Sequence, residues 1–330
     1  MTLGDSKVPA RAAHVPELDG LRGVAVLMVM AFHARLARGG ATGVDVFFVL
    51  SGWLITGLLL VELERRSAIA WGAFMARRAR RLLPALAFAI AVWVALAPGL
   101  WRDGLIALLQ LTNVLAIFRP ANNFFAQTWS LSQEWQFYLF WPFVVAWLAK
   151  GGRRRMAVSL LALWVVLTLS RGALLVAGET SWSYNSPLHW SGLALGAAIA
   201  ASKPEATPRW IGWAGLVAVL CTLFSEPDAL AWSIPISELG TAAIILQPPC
   251  PLAWRPLKGL GTISYGVYLW HGPLLGFLAA MAVPFSGPAI FVLAPLAAAL
   301  SYRYVERPFL RSNPANSPPS PPMTRLRWLG

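Results

Sequence analysis

Residues 17–56 read ELDGLRGVAVLMVMAFHARLARGGATGVDVFFVLSGWLIT, and this stretch decides the fold. It divides into two apolar runs, 18–36 and 43–63, each of a length that crosses the hydrocarbon core of a bilayer as a helix. The first run nevertheless carries Asp19, Arg22 and His33 within it or at its edges, where ionisable groups are costly and mark function by default. Arg22 and His33 are eleven positions apart, so steps of about 100° return them to one helix face, roughly 16 Å apart along the axis. One stripe of one helix is thus expected to hold a fixed cation towards one membrane surface and a titratable imidazole towards the other.

The rest of the 330-residue chain continues in the same manner. A mean hydropathy of +0.60, with 57% hydrophobic and 12% charged residues, excludes an ordinary soluble domain and predicts a polytopic helical membrane protein. The net charge of +13 would suggest nucleic acid in a soluble protein. Here the basic residues cluster in short segments between apolar runs, which fits topology and excludes a nucleic-acid partner. Cys221 and Cys250 lie in or beside apolar segments without metal-ligand spacing and read as packing residues, with neither a disulfide nor a metal expected. The run 23–32 lacks a small-residue cleavage motif and reads as an uncleaved first helix.

Further spans are expected at 81–98, 134–149, 156–177, 186–201, 209–224, 231–247, 262–283 and 287–305, giving an all-α transmembrane bundle of about ten helices. With both termini cytoplasmic, 21 Lys and Arg fall on the inner side, and 4 (Arg35, Arg38, Arg102 and Arg119) on the outer side. The inner set includes Lys7, Arg11, Lys203, Arg325 and Arg327, while the outer loops contain Glu179, Glu226 and Asp228. Were the apolar run 104–118 also to cross, this bias would collapse, so it is expected at the outer surface or as a re-entrant piece. Three parts are expected: a cytoplasmic segment 1–17, the membrane domain 18–309, and a Pro-rich, disordered cytoplasmic tail 310–330.

Several sites admit two readings from their residues. Arg77, Arg78, Arg80 and Arg81 enforce topology and meet lipid headgroups, or they clamp phosphate through bidentate guanidinium forks. His33 is a helix-to-helix hydrogen bonder, or a general base whose tautomer Asp45 fixes from the outer start of the second span. Glu134 is favoured by a helix dipole, or it belongs to a site. His271 satisfies the carbonyl that Pro273 frees, or it acts on substrate. Trp182, Tyr184 and Trp190 sit where aromatic belts are expected, and with His189 they are candidates for acceptor contacts.

Six segments occur in order: 17–34 (ELDGLRGVAVLMVMAFHA), 43–56 (GVDVFFVLSGWLIT), 77–84 (RRARRLLP), 128–142 (TWSLSQEWQFYLFWP), 263–275 (ISYGVYLWHGPLL) and 301–309 (SYRYVERPF). Together they resemble the motif series of the acyltransferase-3 family of integral-membrane O-acyltransferases, over nearly the whole chain. The resemblance implies a ten-helix enzyme of the bacterial plasma (inner) membrane. It would move an acyl group, above all acetyl, from acyl-CoA to a hydroxyl of a cell-surface glycan (lipopolysaccharide or exopolysaccharide) or of a glycosylated small molecule. The family's Arg-ten residues-His motif falls on Arg22 and His33, its Arg-x-Arg motif on Arg78 and Arg80, and its WSLSVE acid on Glu134. Gln133, Trp135 and Gly272 depart from the usual family residues. No esterase-like domain follows the bundle, so any helper in acceptor transfer is expected to be a separate protein.

On this reading the acyl-CoA phosphates dock on Arg78, Arg80 and Arg22. The catalytic residues are His33, Asp45 and Glu134, with Glu134 positioning the acceptor or tuning the imidazole. Direct transfer and an acyl-enzyme both remain open. The competing class is a transporter or glycolipid flippase, since polytopic bundles with buried His, Arg and Glu also make substrate pathways. Against it stand the lack of an inverted repeat and of paired broken helices in the two halves.

Overall fold

The computed structural model describes residues 15–118, 123–202, 207–226 and 229–311, with the side chains of 183, 184 and 311 excepted. Lys7, Arg11, Arg119, Lys203, Asp228, Arg325, Arg327, the Tyr184 side chain, most of 1–17 and all but the start of 310–330 therefore lie outside the described residues. Within them the chain is helical, with no strand. The helices are α1 (Pro16–His33), α2 (Gly43–Arg66), α3 (Trp71–Leu96), α4 (Trp101–Leu108) and α5 (Thr112–Phe118), then α6 (Trp129–Ala149), α7 (Arg153–Val176), α8 (Thr180–Asn185), α9 (Ser191–Ser202) and α10 (Trp210–Cys221). The last five are α11 (Leu230–Leu246), α12 (Arg255–Thr262), α13 (Ser264–Ala280), α14 (Ser286–Ser301) and α15 (Arg307–Arg311), with a π-helical turn at Tyr302–Glu306.

Local chemistry explains the boundaries. Pro16 opens α1, and Glu17 and Asp19 in the first turn complement the positive end of its dipole. At the end of α2, Ser67 takes a left-handed conformation (φ 55°), and Arg65 and Arg66 in the last turn complement the negative end of the helix dipole. Two helices begin earlier than expected. Residues 71–80 (WGAFMARRAR) are rich in helix-forming Ala, Arg and Met and extend α3 backwards, so its arginines lie on the helix rather than before it. Likewise α6 starts at Trp129, which puts Ser130 and Glu134 on one helical segment.

A helix stands at each of the ten expected spans. By length and composition, four helices among the described residues are long and apolar enough to cross a membrane: 38–66 (a 3-10 turn leading into α2), α3, α7 and 286–310 (α14 with its continuation). The bent pair 98–108 and 112–118 turns through 105°. Its corner is Gln110, buried with φ 59°, and the pair packs on α3, α6 and α8. Cys221 and Cys250 are free and exposed rather than packed.

Helices α2 and α9 pack backbone to backbone. A Cβ on Gly52 would sit 2.1 Å from the Leu193 carbonyl oxygen, and one on Gly196 2.0 Å from that of Val49. Only glycine lets the two backbones approach this closely. We expect Gly196→Leu to destabilise the protein by about 1–3 kcal/mol, the cost of forcing atoms into a filled interface. Gly57→Leu is the control, because nothing lies within 4 Å of that position. Thermal unfolding in detergent should separate the two variants, and equal midpoints would contradict the packing.

Candidate functional site

Arg22 of α1 and Glu134 of α6 line one cavity, although they come from helices far apart in the chain. Its space, open solvent at the mouth included, is about 430 Å³. Its lining mixes apolar side chains (Val44, Phe47, Phe48 and Leu131) with the hydroxyls of Ser51, Ser130, Tyr265 and Tyr268. Glu134 accepts from the Ser51 hydroxyl at 2.5 Å and from the Tyr138 hydroxyl at 3.1 Å, one oxygen to each. The carboxylate is therefore held in place, with Arg22 as an electrostatic partner.

The α3 arginines divide by helical position. Arg78 lies over the rings of Phe74 and Tyr138, its guanidinium carbon 5.6 and 5.8 Å from their centroids, and so reaches Glu134 through Tyr138. Its Nε–H and that of Arg22 are buried and lack hydrogen-bond partners among the described residues. Arg80, two positions on and about 200° around the helix, is exposed and away from this cluster. Arg81, three positions on, shares the Arg78 face and acts electrostatically on both Arg22 and Arg78. The pair expected to clamp phosphate as a unit, Arg78 and Arg80, is thus split by the helix. Arg77 instead meets Glu62 at 3.3 Å.

His33 ends α1, half-buried, with Nδ1 2.9 Å from the Val29 carbonyl oxygen. Its neighbour is not Asp45 but His271 of α13, whose Nε2 lies 3.3 Å from the same Nδ1. Asp45 turns the other way, because Val44 faces the cavity and the next residue on a helix points about 100° from it. Its Oδ1 lies 2.8 Å from His189 Nε2 and 3.7 Å from Arg171 Nη1. The expected Asp45–His33 contact is therefore replaced: a desolvated carboxylate has found a fixed cation in the C-terminal part of α7. Arg171 also meets Glu238 of α11 at 3.3 Å, and Glu238 accepts from Ser191 (2.5 Å) and Trp164 (2.7 Å). Asp45, Arg171, His189 and Glu238 are each 2% exposed or less. The His189 ring meets Phe48 edge-on, placing this network one layer behind the cavity wall.

Sequence reasoning missed Ser51, Tyr138 and Tyr265, which read as ordinary span residues. It also missed Arg171 and Glu238, whose signal was present: each is a lone charge inside an apolar run. Gly272 has a local explanation. A Cβ there would lie 3.0 Å from the Gln127 side chain, so a larger residue at 272 would have to displace Gln127.

Comparison with known proteins places these residues in context. Residues 15–302 match the family described as an acyltransferase domain. The chain is 32% identical to YrhL of Bacillus subtilis, over 89% of its own length and 55% of that protein. It is 31% identical to the O-acetyltransferase OatA of Staphylococcus aureus (89% and 57%), and 30% identical to the peptidoglycan O-acetyltransferase OatA of Listeria monocytogenes (91% and 56%). The chain thus spans somewhat over half the length of these relatives. No solved structure matches it.

Proposed function

The chain belongs to the acyltransferase-3 family, and on that premise we propose that it is a multi-pass O-acetyltransferase of the bacterial inner membrane. It moves acetyl from acetyl-CoA to a hydroxyl of a cell-surface glycan. Relatives named for peptidoglycan make that polymer the first acceptor to try. In this reading ten helices cross the membrane and both termini are cytoplasmic. The residues named for a phosphate-bearing donor fit it in kind. Arg22, which lines the cavity, and Arg78, which stacks on Tyr138 behind Glu134, each offer a buried N–H donor that no group among the described residues uses, with Arg81 adding charge. That observation carries the proposal, because an always-charged planar donor suits phosphate better than any other side chain.

When bound, acyl-CoA supplies the acyl thioester. The chain's own groups supply the rest. His33 takes the proton of the acceptor hydroxyl as its oxygen bonds the acyl carbon; the carbon–sulfur bond breaks and the proton passes to the departing thiolate. Glu134, fixed by Ser51 and Tyr138, orients the acceptor or the arginines. Tyr268 connects the two ends, since it lines the cavity and its carbonyl holds His271 against His33. A flippase reading has no observation behind it that the enzyme reading lacks.

Arg78→Ala should raise the KM for acetyl-CoA about tenfold or more, the loss of one charged hydrogen-bond donor, whereas Arg80→Ala should change it less than threefold. Steady-state kinetics on purified protein checks this, and equal effects would contradict the division of the two arginines. The function itself is tested by the O-acetyl content of cell-wall and surface glycans in cells with and without the gene. A fall on deletion, restored by the wild-type gene, is expected; unchanged acetylation of every glycan would overturn the proposal.

A further inference from the structure

His33 and His271 stand with ring centroids 4.8 Å apart, and the hydrogen bonds around them fix where each proton sits. We infer that His271 is the positioning residue for His33: it holds the proton of His33 on Nδ1 and leaves the Nε2 lone pair as the base. This rests on the reading of His33 as the base.

His271 is fully buried, and its Nδ1 lies 2.7 Å from the Tyr268 carbonyl oxygen. A carbonyl only accepts, so Nδ1 of His271 donates, and its Nε2 in the neutral ring carries the lone pair. That lone pair faces His33 Nδ1 at 3.3 Å, and the Val29 carbonyl oxygen lies 2.9 Å from the same nitrogen. Two acceptors converging on Nδ1 of His33 require the proton there, which excludes it from Nε2 of the neutral ring. His33 itself is only half-buried, so its ring is not sealed from an incoming acceptor.

The simpler role for His271 is already filled. Pro273 removes the N–H that the Leu269 carbonyl would accept in a regular helix, and Gln127 Nε2 reaches that oxygen at 3.4 Å. His271 is therefore not needed at the proline, and its ring is available to His33. Its own support is firm. The Tyr268 hydroxyl is 2.7 Å from Ser130 Oγ and donates to the Gln127 carbonyl at 2.8 Å, tying α13 to the start of α6.

The chain has only 4 histidines, so protein labelled with 15N-histidine and held in nanodiscs gives assignable ring nitrogens. At a pH where His33 is neutral, its Nδ1–H form is expected in the wild type and in His271→Gln, whose amide oxygen keeps an acceptor near the old Nε2. In His271→Leu only the Val29 carbonyl is left to hold the proton on Nδ1, so the share of the Nε2–H form should rise, and kcat should fall about tenfold with the acetyl-CoA KM unchanged, while His271→Gln stays within about threefold. An Nε2–H form in the wild type overturns the inference. So does a folded His271→Leu protein with wild-type kcat and the Nδ1–H form. Failure of the base reading looks different: His33→Ala stays active, while the tautomer measurement still decides what His271 holds.

Discussion

His33→Ala is expected to reach the membrane in wild-type amounts, unfold at the wild-type temperature within a few degrees, and lose acetyl transfer by about 10³-fold or more. The loss follows from removing the base, which typically contributes 10² to 10⁴ in rate. The intact fold follows from position. His33 is the last residue of α1, half-buried, and its one hydrogen bond to the main chain is to the Val29 carbonyl of its own helix. Truncation therefore opens no sealed core. The checks are O-acetyl content of surface glycans beside the melting temperature of purified protein. A well-folded His33→Ala protein with wild-type transfer would remove the proposed base.

Arg171→Met should have the opposite pattern, a large loss of stability with no direct effect on chemistry. It removes the cation shared by Asp45 and Glu238 and leaves two carboxylates in a dry interior, at a cost of about 3–5 kcal/mol. Methionine nearly preserves the apolar stem, so the lost charge and not a void dominates. Neutralising the acids as well, in the triple variant Asp45→Asn, Glu238→Gln, Arg171→Met, should recover much of that loss, since a matched apolar or neutral set avoids the uncompensated charges. Thermal unfolding of the three proteins decides the matter. If Arg171→Met melts with the wild type, the network does not hold α2, α7 and α11 together as described.

The apolar runs announced the helices because a bilayer leaves the backbone no other way to satisfy its hydrogen bonds locally. Where one ended was harder to read. The arginines of α3 are good helix formers and read equally well as a cytoplasmic loop, so the early start at Trp71 was not visible. Arg22, Glu134 and His33 stood out as ionisable groups in apolar surroundings, and the cavity brings the first two together. Pairing was not legible. Asp45 looked like the partner of His33 because both belong near one end of consecutive spans. Which way a side chain points depends on which helix packs on each face, and that is decided by contacts such as the bare glycines of α2 and α9. Arg80 shows the same limit: its motif pairs it with Arg78, and the helix turn separates them.

The most direct measurement is turnover of acetyl-CoA carrying a labelled acetyl group by purified protein in liposomes, with peptidoglycan fragments as the offered acceptor. We predict label on the acceptor with free CoA in equal amount, dependent on both His33 and Arg78. Folded protein that binds acetyl-CoA no better than its Arg22, Arg78 double-Ala variant, and transfers no label to any glycan offered, would contradict the claim that the arginine-lined cavity and His33 form one acyl-transfer site.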